Sequence, residues 1–351
     1  MHIDLGSYTR NPVVIKLEHD KVNFVFSTDQ HLSSIPPGRR ADDYQEAILG
    51  KMRFQSDLAH KLKGVCLGGG DVFHHKKPRA QGNSLGLIEA TAKLLKSFPL
   101  SKMFGAVGNH DLSWDSSDSL PHQPLGILIA SGLYHDLTRV PVIFTNKEES
   151  VCVLVESFPY MSEADLLATL RINPSRPGGV DYRVGILHAY GHPKPDEATF
   201  GTSGIPYNPI GYSQLEDLDY DFVCWGHDHS RKETVTVGNA THVHLGSLAR
   251  AALNMDEVDR PVSLALLSFS EKGMAYKELP IPVKPLEVIF TMADKGMEKV
   301  GNKTGEMSAF FSVMDDAVEG ITSSDPKQVL KELCPPEEPK LYDRAVEVCE
   351  L

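Results

Sequence analysis

The sequence predicts an α/β protein with a largely parallel sheet region, on three observations. Short runs rich in β-branched and aromatic residues recur along the chain, amphipathic stretches separate the early ones, and polar clusters follow directly on several of them. Strand, loop, helix and strand in succession build a sheet whose ligands gather at the carboxyl ends of its strands.

In order, the strand candidates are Val22 to Ser27, Gly64 to Gly69, Met103 to Val107, Val151 to Glu156, Val184 to Leu187 and Phe222 to Trp225. Each is short and apolar enough to be a buried strand. Between the first three lie Tyr44 to Lys63 and Asn83 to Ser97, whose apolar residues recur at the three- and four-residue spacing of a helix with one buried face. Past Gly246 the pattern changes. Val262 to Ser268 and Met274 to Leu279, joined by Glu271-Lys272-Gly273, read as an antiparallel hairpin that closes the sheet. The prolines at 280, 282 and 285 then mark a boundary, giving a main domain over 1–282 and a small extension over 283–351. Asp325 to Leu333 and Pro339 to Leu351 are amphipathic; Leu341, Ala345 and Val348 share one face of the second.

Composition narrows the class. Apolar residues make up 41% and charged residues 23% of the 351, ordinary for a globular protein. No stretch approaches the roughly 18 apolar residues of a membrane span. Met1 to Lys21 has no apolar core behind a basic start, so a cytoplasmic location is expected. Five cysteines (Cys66, Cys152, Cys224, Cys334, Cys349), odd in number and widely spaced, read as reduced thiols. The net charge of -12 repels phosphate over the surface as a whole, so any hold on nucleic acid needs a local basic strip, metal ions or a partner.

The chemistry is carried by five clusters after strand candidates: Asp29-Gln30-His31, Gly70-Asp71, Gly108-Asn109-His110-Asp111, His188 and Gly226-His227-Asp228-His229. Singly, each is an ordinary turn or cap. Jointly they supply oxygen and imidazole donors in the proportions that a pair of borderline-hard divalent cations takes. Asp29 and His31 are two apart at a strand end, where alternate residues of an extended segment point the same way, and the same holds for His227 and His229. Asp71 offers a single carboxylate with two oxygens, a natural bridge between two ions, and Asn109 offers a neutral carbonyl oxygen.

D-x-H, G-D, G-N-H-D, H and G-H-x-H in this order resemble the calcineurin-like metallophosphoesterase superfamily from Asp29 to His229. The resemblance implies two mixed sheets packed face to face and flanked by helices, with a small α+β C-terminal extension. It implies a first metal held by Asp29, His31, Asp71 and His229, and a second held by Asp71, Asn109, His188 and His227. Manganese is the first choice, while magnesium, iron(II) and zinc also suit such donors. Two ions about 3.5 to 4 Å apart share a hydroxide and polarise one phosphoryl group for in-line attack. His110 would contact the phosphate and assist the leaving oxygen, with Asp111 orienting it.

Within the superfamily, the arginine of the phosphatase motif G-D-x-V-D-R-G is missing from Gly70-Asp71-Val72-Phe73-His74-His75. That stretch, Leu125-Gly126-Ile127-Leu128, Ser131-Gly132 and Leu245-Gly246-Ser247 resemble the nuclease subunit of the bacterial SbcCD complex and its Mre-eleven counterparts. His74 would be that family's extra site histidine. The implied function is a DNA exonuclease or endonuclease in end processing, recombination or repair, working as a homodimer with an SMC-like ATPase of the SbcC type. Arg39 and Arg40 after the first metal loop, and Lys76, Lys77 and Arg79 after the second, are the candidate DNA-binding strip. Against it stands the reading of such short runs as solvated surface charge. Pro339 to Leu351 is the candidate ATPase contact. His192, His242 and His244 are rival ligands, read first as core or surface histidines. A hydrolase of small phosphoesters and a non-catalytic subunit are the alternative functions.

Overall fold

Along Val22–Ser27 the side chains alternate between two cores: Phe24 and Phe26 point to one, Val25 to the other. Both sides of this strand are therefore dry, as expected of a parallel strand covered on each face. The computed structural model describes residues 3–5, 8–38, 40–77, 81–195, 208–252 and 260–290.

In chain order the strands are Val13–Lys16 (β1), Val22–Ser27 (β2), Val65–Gly68 (β3), Met103–Gly105 (β4), Tyr134–Asp136 (β5), Val142–Thr145 (β6), Cys152–Ser157 (β7), Tyr182–Ala189 (β8), Gly191–His192 (β9), Ile210–Gly211 (β10), Phe222–His227 (β11), Val235–Val237 (β12), Ala240–Val243 (β13), Ser263–Ser270 (β14) and Gly273–Pro280 (β15). One sheet has the order β15-β14-β2-β3-β4-β5, with β2 to β5 parallel and the β14–β15 hairpin antiparallel at its edge. The other has the order β1-β6-β7-β8-β11-β13-β12, parallel from β7 through β13. A short parallel pair, β9 with β10, stands apart.

The sheets pack face to face. Phe24, Phe26, Phe104 and Phe269 of one interlock with Phe144, Val184, Ile186 and Phe222 of the other. Phe24 and Phe104 meet Phe144 edge-on at 5.2 and 5.1 Å, the geometry that ring quadrupoles favour. On the outer face of the first sheet lie Tyr44–Lys61 (α1), Leu85–Lys96 (α2) and Pro124–Ala130 (α3). Glu163–Leu170 (α4) covers the outer face of the second. Asp43 caps α1 through the Glu46 N–H and Ser84 caps α2 through the Leu87 N–H.

The two-sheet arrangement flanked by helices is the one the resemblance implied. The largely parallel region expected from patterning is present as the runs β2 to β5 and β7 to β13, and both sheets are mixed because β14 and β6 each pair antiparallel with a neighbour. The expected hairpin is present, with Gly273 at φ 120° closing it. Past residue 282, Leu286–Ile289 (α5) continues the chain, and the Ala41 N–H donates to the Ile289 carbonyl at 2.9 Å. The rest of the extension, including Asp325 to Leu333, Pro339 to Leu351, Cys334 and Cys349, lies outside the described residues. Among the described residues, no helix is long and apolar enough to cross a membrane.

Phe24 is central to the layer between the sheets. Phe24→Ala is expected to lower stability by about 3–5 kcal/mol in denaturant titrations; a loss below about 1 kcal/mol would contradict its place in that layer.

Candidate metal centre

Strands of both sheets deliver polar side chains to one edge. β2, β3 and β4 run parallel side by side and end just before Asp29, Asp71 and Asn109; β8 and β11 run parallel in a register that sets Gly226 beside His188. All seven ligand candidates converge there. Asp29, His31, Asp71 and His229 bring their ligand atoms within 4.8 Å of one another, as do Asp71, His188 and His227.

Asp71 belongs to both groups. Its Oδ2 faces His31 Nε2 at 3.6 Å and its Oδ1 faces His188 Nε2 at 3.3 Å. One carboxylate thus addresses the two groups with different oxygens. Asn109 Oδ1 lies 3.1 Å from His188 Nε2 and 3.0 Å from His227 Nδ1. In the first group His31 Nε2 and His229 Nε2 are 2.8 Å apart, and they stand 3.9 and 3.8 Å from Asp29 Oδ1. Neighbouring ligands on an octahedral ion with bonds of about 2.1 Å sit roughly 3 Å apart, so these separations have the scale of coordination edges.

The route to that convergence differs from the expected one. Asp29, His31, Asp71 and His227 are not extended; their φ angles are 53°, 47°, 51° and 84°. Left-handed backbone costs a non-glycine residue energy, and its clustering here is the kind of strain found at functional sites. Space is equally tight. Gly70 sits at φ 98°, and a Cβ on Gly108 would run into the Asp71 carboxylate.

The charges ask for a cation. Burial opposes ionisation of Asp71, but His188, His31 and His110 outweigh it and hold the carboxyl well below its usual range. Burial pushes Asp29 the other way, up. His188 rises to about 9: burial works against its charge, and Asp71 and Asp29 overcome that. Its Nδ1 lies 2.8 Å from the Gly69 carbonyl, which aims Nε2 at Asp71 and Asn109. His31 and His227 are lowered by burial and by neighbouring imidazoles, His227 to about 3, so their rings are neutral donors. This nitrogen and oxygen set suits a borderline-hard divalent ion. The three described cysteines are buried in the cores, away from it.

A third group, His31, His74 and His110, adjoins the first. His110 Nδ1 lies 2.5 Å from the His74 carbonyl oxygen and its ring stacks on that of His74 at 5.7 Å. Asp111 departs from its expected role of orienting His110. Its carboxylate accepts from the N–H groups of Val72, Phe73 and Gly108 at 3.3, 3.1 and 3.1 Å, and no hydrogen bond joins it to His110 among the described residues. It latches the Asp71 loop to the Asn109 loop. Burial, then Asp71, raises its pKa to about 7 against the pull of those N–H groups.

The basic strip is largely not what the sequence suggested. Arg40 is 7% exposed; its guanidinium binds Asp42 and the carbonyls of Ala249 and Arg250 and stacks on Tyr44. It is a structural bolt, not a phosphate contact. Lys76 pairs with Asp115 at 2.8 Å, and Lys77 is exposed. Arg39 and Arg79 lie outside the described residues. The rival histidines stay outside the three groups: His242 packs flat on Tyr212, His244 Nε2 lies 3.2 Å from the Asp228 carbonyl, and His192 Nδ1 accepts from the Lys194 N–H.

Two tyrosines escaped the sequence reading. Tyr190 meets His227 at 4.2 Å, and Tyr160 meets His227 and His188 at 5.5 and 6.0 Å, walling the second group. Their signal was positional: Tyr190 is two residues after His188, and Tyr160 follows the end of β7 as the ligands follow theirs.

No family model matches the chain, and no curated protein matches it. Among solved structures it is similar to a protein provisionally assigned as a 5'-nucleotidase from Staphylococcus aureus, crystallised with alpha-ketoglutarate, at 17% identity and a TM-score of 0.47 over 79% of this chain and 57% of that one. It is also similar to a hypothetical protein from Thermus thermophilus, at 12% identity and a TM-score of 0.37 over 74% of this chain and all of that one. The chain therefore spans little more than half the length of the first.

A cation entering the second group displaces the proton that His188 holds below pH 9. Manganese titration calorimetry at pH 7.5, in buffers of different ionisation enthalpy, is expected to show proton release on binding, and buffer-independent heats would contradict this charge balance. Asp71→Ala is expected to abolish tight binding in both groups; retention of both sites would refute the shared carboxylate.

Proposed function

We propose that the chain is a metal-dependent phosphodiester hydrolase, and that its substrate is DNA. The observation that carries the reading is the Asp71 carboxylate, which turns one oxygen toward each imidazole group. Asp29, His31, Asp71 and His229 would hold one ion; Asp71, Asn109, His188 and His227 would hold the other. Bound there, two divalent ions supply Lewis acidity and lower the pKa of coordinated water.

The chain's own residues do the rest. His110 stands at the edge of the first group with its Nδ1 engaged by the His74 carbonyl, which leaves Nε2 to address a substrate oxygen. Proton donation to a leaving oxygen by such a positioned imidazole contributes about 10²–10⁴-fold in rate. His74, stacked on His110 and lowered to about 4 chiefly by burial, is neutral and keeps the ring in place without competing for the proton. Tyr160 and Tyr190 pack their rings against the imidazoles of the second group.

DNA as substrate is supported by the motif resemblance, by exposed Lys77 and by Lys76 beside the Asp71 loop. Hydrolysis of small phosphoesters is the second reading, favoured by the withdrawal of Arg40 into the core and by the -12 net charge. An SMC-like ATPase and a second copy of the chain remain the proposed partners; Pro339 to Leu351, the suggested ATPase contact, lies outside the described residues.

Labelled duplex and single-stranded DNA, assayed beside bis-p-nitrophenyl phosphate with manganese, separate the two readings. Cleavage of DNA is expected; turnover of the small diester with DNA left intact would select the second. His110→Ala is expected to keep its metals and lose about 10²–10⁴-fold in turnover, and unchanged turnover would remove His110 from the chemistry.

A further inference from the structure

Trp114 is 95% exposed, although it stands only four residues after His110 in the chain. A single exposed apolar side chain needs no explanation by itself. The backbone beneath this one does. Trp114 and Asp115 have φ angles of 55° and 52°, two consecutive left-handed residues, neither of them glycine. For a bulky side chain that conformation is an outlier, and Gly or Asn is the usual residue at such a turn.

The turn is tied to the catalytic loops. The Ser113 N–H donates to Ser119 Oγ at 2.8 Å, and Ser113 Oγ donates to the Lys76 carbonyl at 2.8 Å. Gln123 Nε2 donates to the same carbonyl at 3.0 Å, and Lys76 Nζ donates to Asp115 Oδ1 at 2.8 Å. Lys76 is two residues from His74, whose carbonyl holds His110. The indole is thus presented on a braced support. Four residues of fully extended chain reach roughly 14 Å, so Trp114 stands within that reach of His110. The turn under the indole is thus hydrogen-bonded to the same loop that holds His110, and Tyr160, an aromatic ring of the same site, packs on His188 and His227.

Resting on the nuclease reading above, we propose that Trp114 is a stacking platform for a nucleobase near the scissile phosphate, so that the strand is gripped by its bases where the acidic surface cannot hold its backbone. Every base has a π-face, so such a grip tolerates sequence. Such a grip suits a chain of net charge -12, since stacking on an indole needs no cation.

The test measures binding of a short phosphorothioate oligothymidylate and of its abasic counterpart, with manganese present, to the wild type, Trp114→Ala and Trp114→Phe. Trp225 is fully buried and is the chain's other tryptophan, so quenchable emission reports on Trp114. Loss of the indole is expected to weaken the base-bearing strand roughly 5- to 150-fold. Trp114→Phe should recover most of the affinity, the abasic strand should bind weakly and equally to all three, and oligothymidylate should quench wild-type emission. Metal titration checks that each variant is folded. Equal affinity of wild type and Trp114→Ala for oligothymidylate would overturn the proposal and leave the indole as a contact for another protein chain. A wild type that hydrolyses the small diester but binds neither strand would overturn the nuclease reading itself, and this inference with it.

Discussion

A single buried carboxylate shared between two sets of imidazoles is the constraint around which this molecule is organised. Asp71 sits where the carboxyl edges of the two sheets meet, and each of its oxygens answers a different sheet: His31 comes from the strand next to its own, His188 from the opposite layer. That arrangement works only if the sheets are held in one relative position to within a fraction of an ångström. The phenylalanine layer between them does this, since close-packed interiors transmit displacement instead of absorbing it. Core packing and site geometry are therefore one problem in this chain.

The backbone shows what that position costs. Four candidate ligand residues in left-handed conformations store roughly 1–3 kcal/mol apiece by the usual scale, somewhat less for Asp and His, which tolerate that region better than other residues. The conformations persist because the neighbouring structure leaves no alternative. Asp111 ties two of the loops together through three backbone N–H groups, Ser247 Oγ donates to the Asp29 carbonyl at 3.0 Å, and Tyr44 donates to that of His31 at 2.8 Å. The strain aims the side chains; the hydrogen bonds keep it from relaxing.

Much of this was legible in sequence because it is local. Apolar runs ending in Asp, Asn, His and Gly place the candidate ligands at strand ends, and the runs at β2, β3, β11 and the β14–β15 hairpin are visible without knowing what they pair with. What local patterning could not reach is non-local. The division of strands into two sheets came from the motif resemblance and not from the runs themselves, because it depends on pairings such as β14 with β2, some 240 residues apart. Arg40 read as a free cation because its partners, the carbonyls of Ala249 and Arg250, lie about two hundred positions away. Asp111 read as the orienter of its neighbour His110, yet it turned to backbone groups brought beside it from Val72 and Phe73. Alternation along an extended strand also gave the right convergence of Asp29 and His31 for the wrong reason, since φ at both is positive.

The chemistry of this site turns on whether one carboxylate joins two ions. Electron paramagnetic resonance of the protein loaded with manganese(II) to saturation measures this most directly, because two manganese ions bridged by a carboxylate are exchange-coupled and isolated ions are not. A stoichiometry of two ions per chain with a coupled spectrum is the predicted result; a single ion, or two with the uncoupled six-line signal, would contradict it.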